Sequence, residues 1–340
     1  MIEKTTVGIV GVGHVGAHVA YSLGMMGIAD EILLCDIDAK KLASECNDLN
    51  DAVPFMPHRV QYKTTDYAGL KDCAVIVNAV GDISLCRNFN RDDELKNSVV
   101  QVARFIPRIM DAGFDGIFVN ITNPCDLITA EIANLSGLPR SQVMGTGTLL
   151  DSARLCHALS DATGLDSRSF NAFMLGQHGN AQFVPWSLLN FSGMTVDQYE
   201  KHSGRPFARA AIQEQAIKGG WVTVSGKWCT EYGIAGAAAT LVGTILRDEK
   251  RVLPCSVELD GEYGQQDLFI GVPAVIGKEG VEKVLDLPLT QEEQKQFEQC
   301  AAAIRENVAK AYDIILKEKE KVEFILKVSM IEIYQEKIRD

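Results

Sequence analysis

Short apolar runs alternate with segments of helical periodicity through the first half of the chain. The runs TTVGIVG, EILLCDID, CAVIVNAVG, DGIFVNITNP and QVMGTGT predict buried strands, and VQYKTTD predicts a more polar strand near a sheet edge. Between them, HVGAHVAYSLGMMGIA and the stretch from about Glu94 to Ala112 have apolar residues at helical spacing, with Pro107 tolerated in the second helix or kinking it. Strands that alternate with helices predict an α/β fold with a doubly wound parallel sheet.

The pattern changes after about Leu149. A predicted helix, LLDSARLCHALSDATG, is followed by FNAFMLGQHG, a polar segment and a long helical run from about Arg209 to Leu246, which the pair Gly219–Gly220 is expected to interrupt. Short strand-like pieces, RVLPCSVEL and DLFIGVPAVIG, precede a long amphipathic helix that begins near Thr290. We therefore expect a first domain at residues 1–147, an α+β second domain at 148–318, and a tail at 319–340 whose role the pattern does not define.

Composition narrows the possible functions. The 340 residues are 46% hydrophobic and carry a formal net charge of -12, which argues against nucleic acid or an anionic membrane as the main partner. The N-terminus lacks a basic, cleavable leader pattern, and Tyr232–Leu246 is too short to span a bilayer. Nine cysteines without a CxxC motif fit a reducing compartment, so we expect a cytoplasmic protein whose thiols lie mostly in the core.

A GxGxxG motif formed by Gly11, Gly13 and Gly16 leaves the first predicted strand and opens the first predicted helix. Alone the motif is weak, because tight turns without a ligand also use glycines. Here the second strand ends in Asp36, 20 residues after Gly16 (36 − 16), where an acid can accept hydrogen bonds from ribose hydroxyls. We therefore expect a Rossmann-type dinucleotide site. It should favour NAD over NADP, because Asp36 would repel a 2′-phosphate and no arginine follows it.

Three further clusters contain side chains suited to one reaction. Asp151 and Arg154 share a helix face in LLDSAR, His178 lies between glycines in LGQHGN, and Arg91 ends the segment GDISLCRNFNR. Each has a plain structural explanation: a surface ion pair, an exposed turn histidine and a solvated charge. Together they fit a 2-keto or 2-hydroxy acid. Arginine binds a carboxylate as a planar fork, histidine exchanges a proton near neutrality, aspartate orients the histidine, and a second cation stabilises charge on the carbonyl oxygen.

In chain order, GxGxxG, NITNP, MGTGTLLDSAR, LGQHG and GKWCTEYGIA resemble the L-lactate/malate dehydrogenase superfamily, from Thr5 to about Leu316. Within it, GDISL, TGTLLD, QHGNAQF and the GK-aromatic-x-T-x-YG segment are most similar to L-2-hydroxyisocaproate dehydrogenase, the branch acting on longer aliphatic 2-hydroxy acids. The resemblance implies an NAD-dependent L-2-hydroxyacid dehydrogenase with a Rossmann NAD-binding domain followed by an α+β catalytic domain. It also implies a homodimer or homotetramer.

The resemblance implies roles for the reactive residues. His178 would be the proton donor and acceptor, with Asp151 as its partner. Arg154 would bind the substrate carboxylate, and Arg91 would polarise the substrate carbonyl.

It also implies that Asn123 contacts the nicotinamide or the substrate oxygen, and that Thr230 and Ile234 line the pocket for both. Two departures stand out: Gln177 in GQHGN, where GEHGD is common, and Glu231 beside Thr230, where a serine is more usual. Either could change the electrostatics of the site.

Substrate preference in the superfamily depends on the residue that the loop presents to the substrate side chain. Counting back from Arg91 points to Leu85, and counting forward from Gly81 points to Ser84. A leucine favours an apolar side chain such as that of 2-ketoisocaproate, because a second substrate carboxylate would be desolvated without a partner. Lactate or malate activity is the alternative, and Arg87 is the residue able to give malate activity.

Two other classes of function remain open from the sequence. A non-catalytic NAD-binding protein is possible, although such a protein need not retain the whole reactive set. An NAD-dependent glycosidase of related fold would need a metal site, for which Cys125 in NPCD is one ligand without an evident second. That class leaves LDSAR and GQHG unexplained, so we expect no metal.

Overall fold

The computed structural model describes residues 5–85 and 94–310. In chain order, the strands are β1 (Thr6–Val10), β2 (Glu31–Cys35), β3 (Gln61–Thr64), β4 (Val75–Asn78), β5 (Ile117–Asn120), β6 (Val143–Gly145), β7 (Phe170–Asn171), β8 (Leu175–Gly176), β9 (Gln182–Phe183), β10 (Asn190–Phe191), β11 (Met194–Thr195), β12 (Arg251–Asp260), β13 (Gln266–Gly277) and β14 (Gly280–Val284). The helices are α1 (His14–Met25), α2 (Ala39–Ala52), α3 (Leu95–Asp111), α4 (Cys125–Ser136), α5 (Leu149–Thr163), α6 (Val196–Ser203), α7 (Arg209–Lys227), α8 (Tyr232–Leu246) and α9 (residues 291–310).

The first six strands form a parallel sheet in the order β3-β2-β1-β4-β5-β6. Strands β4 and β5 are buried at every position, which explains why they read as continuous apolar runs in the sequence. The more polar β3 lies at the edge, as predicted. The predicted doubly wound α/β fold is confirmed, and the strand order reverses between β1 and β4, where such folds bind ligands.

Four strands of the second half of the chain, β12, β13, β8 and β9, extend this sheet. The two segments predicted as short strand-like pieces are long strands, β12 and β13, which form an antiparallel hairpin. Ser256 of β12 pairs with Gly145 of β6, and β8 and β9 continue the sheet beyond β13. The predicted domain boundary at residues 147–148 falls between β6 and α5 and remains a prediction, because the sheet runs across it. A small sheet of β7, β10 and β11 stands apart.

One predicted helix break was placed wrongly. Helix α7 runs through Gly219–Gly220 without interruption, and the break comes at Trp228, whose φ of 71° is left-handed. A methyl group on Gly219 would lie 3.2 Å from Cδ of Arg154. The glycine therefore allows α7 to pass close to that arginine, which is a packing requirement that sequence periodicity does not reveal. Pro107 is accommodated within α3.

Apolar side chains fill both faces of the main sheet, with α1 packed on α8 and α5 packed on α7. Most of the described cysteines are buried free thiols, as expected from the sequence. No helix within residues 5–85 and 94–310 combines the length and apolarity needed to cross a membrane.

Candidate active site

The glycine-rich turn connects β1 to α1 with little spare room. Gly11 adopts a φ of +90°, and a methyl group on Gly16 would collide with the Gly11 carbonyl oxygen. Around Gly13, by contrast, no atom of the described residues lies within 4 Å of the position that a methyl group would take. Among residues 5–85 and 94–310, no side chain caps the N-terminus of α1, and the first turn of this helix contains no acid. The turn therefore leaves open space and unpaired positive helix charge for an anion such as a pyrophosphate.

Asp36 lies just after β2, beside the same turn. Its Oδ2 atom accepts a hydrogen bond of 2.6 Å from the backbone N–H of Val12, and its Oδ1 atom accepts from the N–H of Asp38 at 2.9 Å. The carboxylate is thus held at the carboxyl end of the sheet, next to the glycine turn. These features fit a dinucleotide with an unphosphorylated ribose.

A buried amide network holds the segment that contains Asn123. Asn78, at the end of β4, donates to Asn120 at the end of β5 over 2.9 Å, and both side chains are fully buried. Asn120 in turn donates to the carbonyl oxygens of Thr122 and Cys125. Asn123, followed by a cis peptide bond to Pro124, is therefore presented from a fixed turn. Sequence reasoning missed this network, although an asparagine ending an apolar strand is a visible signal.

His178, Asp151 and Arg154 lie together in the structure, as the family resemblance implies. The Nδ1 atom of His178 lies 2.5 Å from Oδ2 of Asp151, and Nη1 of Arg154 donates to Oδ1 of the same carboxylate at 2.7 Å. Asp151 is completely buried, whereas 11% of the His178 side chain and 14% of the Arg154 side chain are exposed. One buried acid therefore orients an imidazole and a guanidinium that both reach solvent-accessible space.

Hydrogen bonds between the start of α5 and Met174, the residue before β8, help to bring these residues together. Thr148 donates its hydroxyl to the carbonyl oxygen of Met174 at 2.7 Å, and Met174 N–H donates to the hydroxyl of Ser152 at 2.9 Å. The start of α5, with Asp151, is thereby tied to the strand that leads into the His178 turn. Both threonine and serine are buried, so these bonds are shielded from water.

A second buried carboxylate, Asp126 near the N-terminus of α4, was not anticipated from the sequence. Its Oδ2 atom accepts from the backbone N–H of His178 at 2.9 Å, and its Oδ1 atom accepts from the Ser256 hydroxyl at 2.6 Å. Burial raises the pKa of Asp126 to about 6, against the opposing effect of these two hydrogen bonds. The pattern NPCD contained the residue, but its partners come from distant strands and turns.

One cavity of about 260 Å³ joins the glycine turn to the histidine. Six of the predicted site residues line this cavity, namely Gly13, Asn123, Arg154, His178, Thr230 and Ile234. Asp151 does not line the cavity and is separated from it by His178 and Arg154, to which it is hydrogen-bonded. The buried acid Glu94 also lines the cavity and was not singled out from the sequence. The cavity therefore offers one space in which a dinucleotide and a small carboxylic acid could meet.

Glu231, the unusual acid beside Thr230, does not present an isolated charge. Its carboxylate accepts from the Cys229 thiol at 2.9 Å and lies 3.4 Å from Nε2 of His18 and 3.6 Å from Nζ of Lys227. The Cys229 hydrogen bond, followed by the nearby cations, lowers the pKa of Glu231. The extra charge expected from the sequence is therefore largely balanced by its neighbours.

The predicted substrate loop is only partly described. Leu85 ends a short 3₁₀ turn and is 37% exposed, and Asp82 rather than Leu85 lines the cavity. The Ser84 hydroxyl donates to Asp82 at 2.5 Å. Arg87 and Arg91 lie outside the described residues, so their predicted roles remain predictions.

Two family models match the chain in succession. The lactate/malate dehydrogenase NAD binding domain matches residues 5–145, and the lactate/malate dehydrogenase alpha/beta C-terminal domain matches residues 148–315.

Curated relatives match over nearly their whole length. An L-lactate dehydrogenase from Fusobacterium nucleatum is 42% identical over 320 residues, covering 93% of this chain and 100% of the relative. L-lactate dehydrogenase 1 from Bifidobacterium longum is 37% identical over 309 residues, covering 90% and 98%.

Solved structures agree with these relatives. The minor L-lactate dehydrogenase from Enterococcus mundtii, in its ligand-bound form, superposes with a TM-score of 0.87 at 30% identity and covers 90% of this chain and 98% of its own. A lactate dehydrogenase from a Medee basin deep-sea metagenome, MGS-M5, has a TM-score of 0.87 at 32% identity, covering 92% and 100%.

Proposed function

The chain belongs to the lactate/malate dehydrogenase family, and on that premise we propose that it interconverts pyruvate and L-lactate. As a member it is an NAD-dependent oxidoreductase that acts on the CH–OH group of 2-hydroxy acids. The observation that carries the proposal is the shared Asp151 carboxylate, which orients His178 and Arg154 at one cavity that also reaches Gly13.

NAD supplies the hydride acceptor and donor when it is bound. The open space at Gly13, the uncapped start of α1 and the carboxylate of Asp36 suit its pyrophosphate and adenine-side ribose. Asn123 and Ile234, which line the cavity next to His178, would contact the nicotinamide.

His178 is proposed as the group that moves the proton. Its Nδ1 atom is occupied by Asp151, which leaves Nε2 for the substrate oxygen. In the reduction of pyruvate, the carbonyl carbon receives the hydride and Nε2 of the imidazolium gives its proton to the carbonyl oxygen. In the reverse direction, the neutral imidazole accepts the hydroxyl proton as hydride leaves the same carbon. The buried carboxylate stabilises the imidazolium in both directions.

Arg154 is proposed to bind the substrate carboxylate. One of its N–H groups holds Asp151, and the planar guanidinium has further donors for a two-point contact. Thr230 would contact the substrate beside it. Arg91 keeps its predicted role of polarising the carbonyl, as a proposal that rests on the family resemblance.

We propose pyruvate as the substrate in place of 2-ketoisocaproate, the branched keto acid that the sequence favoured. The relatives and solved structures described above are all called lactate dehydrogenases, and none of these names supports 2-hydroxyisocaproate. Activity on 2-ketoisocaproate is the second candidate, supported by the apolar side chain of Leu85 in the substrate segment. Malate activity through Arg87 is the third.

A panel of keto acids tests the proposal. Loss of NADH absorbance is followed with pyruvate, oxaloacetate, 2-ketoisocaproate and phenylpyruvate at equal enzyme concentration. We expect the highest kcat/KM with pyruvate. A higher value with 2-ketoisocaproate would replace pyruvate by the second candidate, and rapid oxaloacetate reduction that disappears in Arg87→Leu would establish the third. No turnover with any of the four would refute dehydrogenase activity on such acids and favour a non-catalytic NAD-binding role.

Assembly and location are further proposals. We propose a homodimer or homotetramer, supported by the family resemblance and by the exposed aromatic side chains of Tyr21 and Tyr232, which line one groove between α1, α2 and α8. Light scattering coupled to size-exclusion chromatography would measure the mass directly. The cytoplasmic location expected from the cysteines stays a prediction.

A further inference from the structure

Glu231 contacts several side chains at the turn between α7 and α8, and the proton-transfer scheme above does not use it. Its carboxylate accepts a hydrogen bond from the Cys229 thiol at 2.9 Å. The same carboxylate lies 3.4 Å from Nε2 of His18 on α1 and 3.6 Å from Nζ of Lys227 at the end of α7. Only 11% of the Glu231 side chain is exposed. An isolated surface ion pair contributes little, whereas a shielded acid with several partners can fix the elements that carry them.

We propose that Glu231 is a positioning residue: it ties the turn between α7 and α8, and with it Thr230, to helix α1. This inference rests on the proposed function, in which Thr230 contacts the substrate. Thr230 lies between Cys229 and Glu231 in the chain, and both Thr230 and Cys229 line the cavity. Because the residues before and after Thr230 are bonded to each other and to α1, its backbone is restrained on both sides.

The contacts of Glu231 differ from those of an ordinary helix cap. Glu231 directly precedes α8, a position where polar side chains often accept hydrogen bonds from the first turn of the helix. Among the described residues, its side chain makes no such bond to α8. Its carboxylate instead contacts Cys229 and Lys227, which precede it, and His18 on another helix. The contacts therefore join separate elements and do not serve the start of α8 alone.

The turn depends on such contacts because its first residue packs poorly. Trp228 has a left-handed φ of 71°, and 82% of the residue is exposed. A residue other than glycine is strained in this conformation, and an exposed side chain offsets little of the strain by burial. The hydrogen bond between Cys229 and Glu231 and the ion pairs of Glu231 are therefore assigned the ordering of the turn.

His18 is the end of the tie that lies on α1. Its Nδ1 atom is 2.7 Å from the carbonyl oxygen of His14, the first residue of α1, so the ring is held against its own helix. The same ring meets Tyr232 edge-on, with ring centroids 5.1 Å apart, and Nζ of Lys227 lies 4.0 Å from the centroid of the Tyr232 ring. His18 and Lys227 thus each contact both Glu231 and Tyr232, and the cluster closes across α1, α7 and α8.

Glu231→Ser, which introduces the residue more usual at this position of the family, removes the tie. We expect the KM for pyruvate to rise about tenfold, because Thr230 is no longer held beside the substrate. The kcat should stay within about twofold of wild type, because His178 and Asp151 are untouched. A general loss of structure would lower kcat as well, so the division between KM and kcat identifies a positioning role.

Two further variants complete the set. Glu231→Gln retains an oxygen that can accept from the Cys229 thiol but loses the charge, so we expect the KM to rise only about threefold. Glu214→Gln alters an exposed acid of α7 that pairs with Lys218, and this matched control should behave as wild type. Circular dichroism and NADH fluorescence verify that each variant is folded and binds the cofactor.

A double-mutant cycle tests the link to α1. We expect His18→Ala alone to raise the KM for pyruvate about threefold. If Glu231 acts on the turn through His18, the double variant should have the KM of Glu231→Ser alone, about tenfold above wild type. A KM about 30-fold above wild type, the product of the two single effects, would overturn the link.

Hydrogen–deuterium exchange gives a readout that does not depend on turnover. Two backbone hydrogen bonds flank the turn, from the N–H of Trp228 to the oxygen of Val224 and from the N–H of Ala235 to the oxygen of Glu231, each 2.9 Å long. We expect both amides to exchange about tenfold faster in Glu231→Ser and in His18→Ala than in wild type. In the control variant the two exchange rates should not change.

The two readouts decide the proposal separately from the proposed function. A wild-type KM for pyruvate in folded Glu231→Ser would overturn the positioning of Thr230. Wild-type exchange rates in that variant would overturn the ordering of the turn. If the wild type reduces no keto acid, the proposed function fails, and the exchange rates still decide whether Glu231 and His18 order the turn.

Discussion

The imidazole of His178 and the carboxylate of Asp151 lie 2.5 Å apart, Nδ1 to Oδ2, with the carboxylate completely shielded from solvent. The other carboxylate oxygen holds Arg154 at 2.7 Å. One acid thus orients both the group proposed to move the proton and the group proposed to bind the substrate.

Replacing Asp151 should therefore impair both steps. In Asp151→Asn we expect kcat to fall by about two to four orders of magnitude, because the amide neither stabilises the imidazolium nor fixes its tautomer. The KM for pyruvate should rise as well, since Arg154 loses its charged partner. Asp161→Asn, on the same helix but in an exposed pair with His157, should leave both parameters unchanged. Steady-state kinetics measure the two effects, and a normal kcat in Asp151→Asn would contradict the orienting role.

His178→Asn should separate chemistry from cofactor binding. We expect kcat to decrease by several orders of magnitude, because asparagine cannot exchange a proton near neutrality. NADH should still bind, since the glycine turn and Asp36 are untouched, and fluorescence titration measures this. His157→Asn replaces an exposed histidine of α5 and is the control. Near-normal turnover in His178→Asn would reject the proton-transfer role.

Arg154→Lys should retain the positive charge and lose the planar guanidinium that can bind a carboxylate through two hydrogen bonds. We expect the KM for pyruvate to rise about 100-fold, because an ammonium cannot make the planar two-point contact with a carboxylate. Gly219→Ala should raise the KM by a smaller factor, because its methyl group would press on the Arg154 side chain at 3.2 Å. Arg168→Lys changes a largely exposed arginine and should have no effect on KM. Unaltered KM values in both Arg154→Lys and Gly219→Ala would indicate that the carboxylate binds elsewhere.

Alanine substitutions at Gly16 and Gly13 of the dinucleotide turn should have different effects on stability. Gly16→Ala places a methyl group against the Gly11 carbonyl oxygen, so we expect a lower melting temperature and weak NADH binding. The methyl group of Gly13→Ala meets no atom within 4 Å in the part of the chain that the structure describes, so the apoprotein should melt as wild type. Its affinity for NADH should nevertheless fall, because the methyl group would occupy space proposed for the pyrophosphate. Equal NADH affinity in Gly13→Ala and wild type would argue against that placement.

Asp126 should also make stability depend on pH. Burial raises its pKa from 3.8 to about 6, so the folded state holds this proton more tightly than the unfolded state. This tighter proton binding adds to the free energy of unfolding in full below pH 3.8, and the addition is lost as the pH rises through about 6. The full shift corresponds to about 3 kcal/mol. The free energy of unfolding of Asp126→Asn, taken as a difference from wild type and measured by urea unfolding, should therefore rise between pH 4 and pH 7. A difference that does not change with pH would contradict the raised pKa.

Sequence patterns predicted the features that depend on neighbouring residues. The apolar runs of β4 and β5, the glycine turn with Asp36, and the helical pair Asp151 and Arg154 are all local, and they appear where expected. Convergence of His178 with that pair followed from a family resemblance and not from spacing.

The missed features depend on partners that folding brings together. Asp126 and Ser256 are 130 positions apart, and Asn78 and Asn120 are 42 apart, so no local pattern links them. Gly219 was interpreted as a helix breaker because the local sequence does not show its contact with Arg154, which lies on another helix. Substrate preference was also beyond local reasoning, since a single loop position had to be inferred by counting along the segment.

The pairing of β12 with β6 has a mechanical consequence. One hydrogen-bonded sheet passes from the glycine turn to the strand that leads to His178. The first and second halves of the chain therefore cannot separate by a hinge motion without breaking backbone hydrogen bonds. The distance between the dinucleotide turn and the histidine is therefore built into the sheet. We therefore expect the entry of a substrate and the exclusion of water to depend on movements of elements outside this sheet.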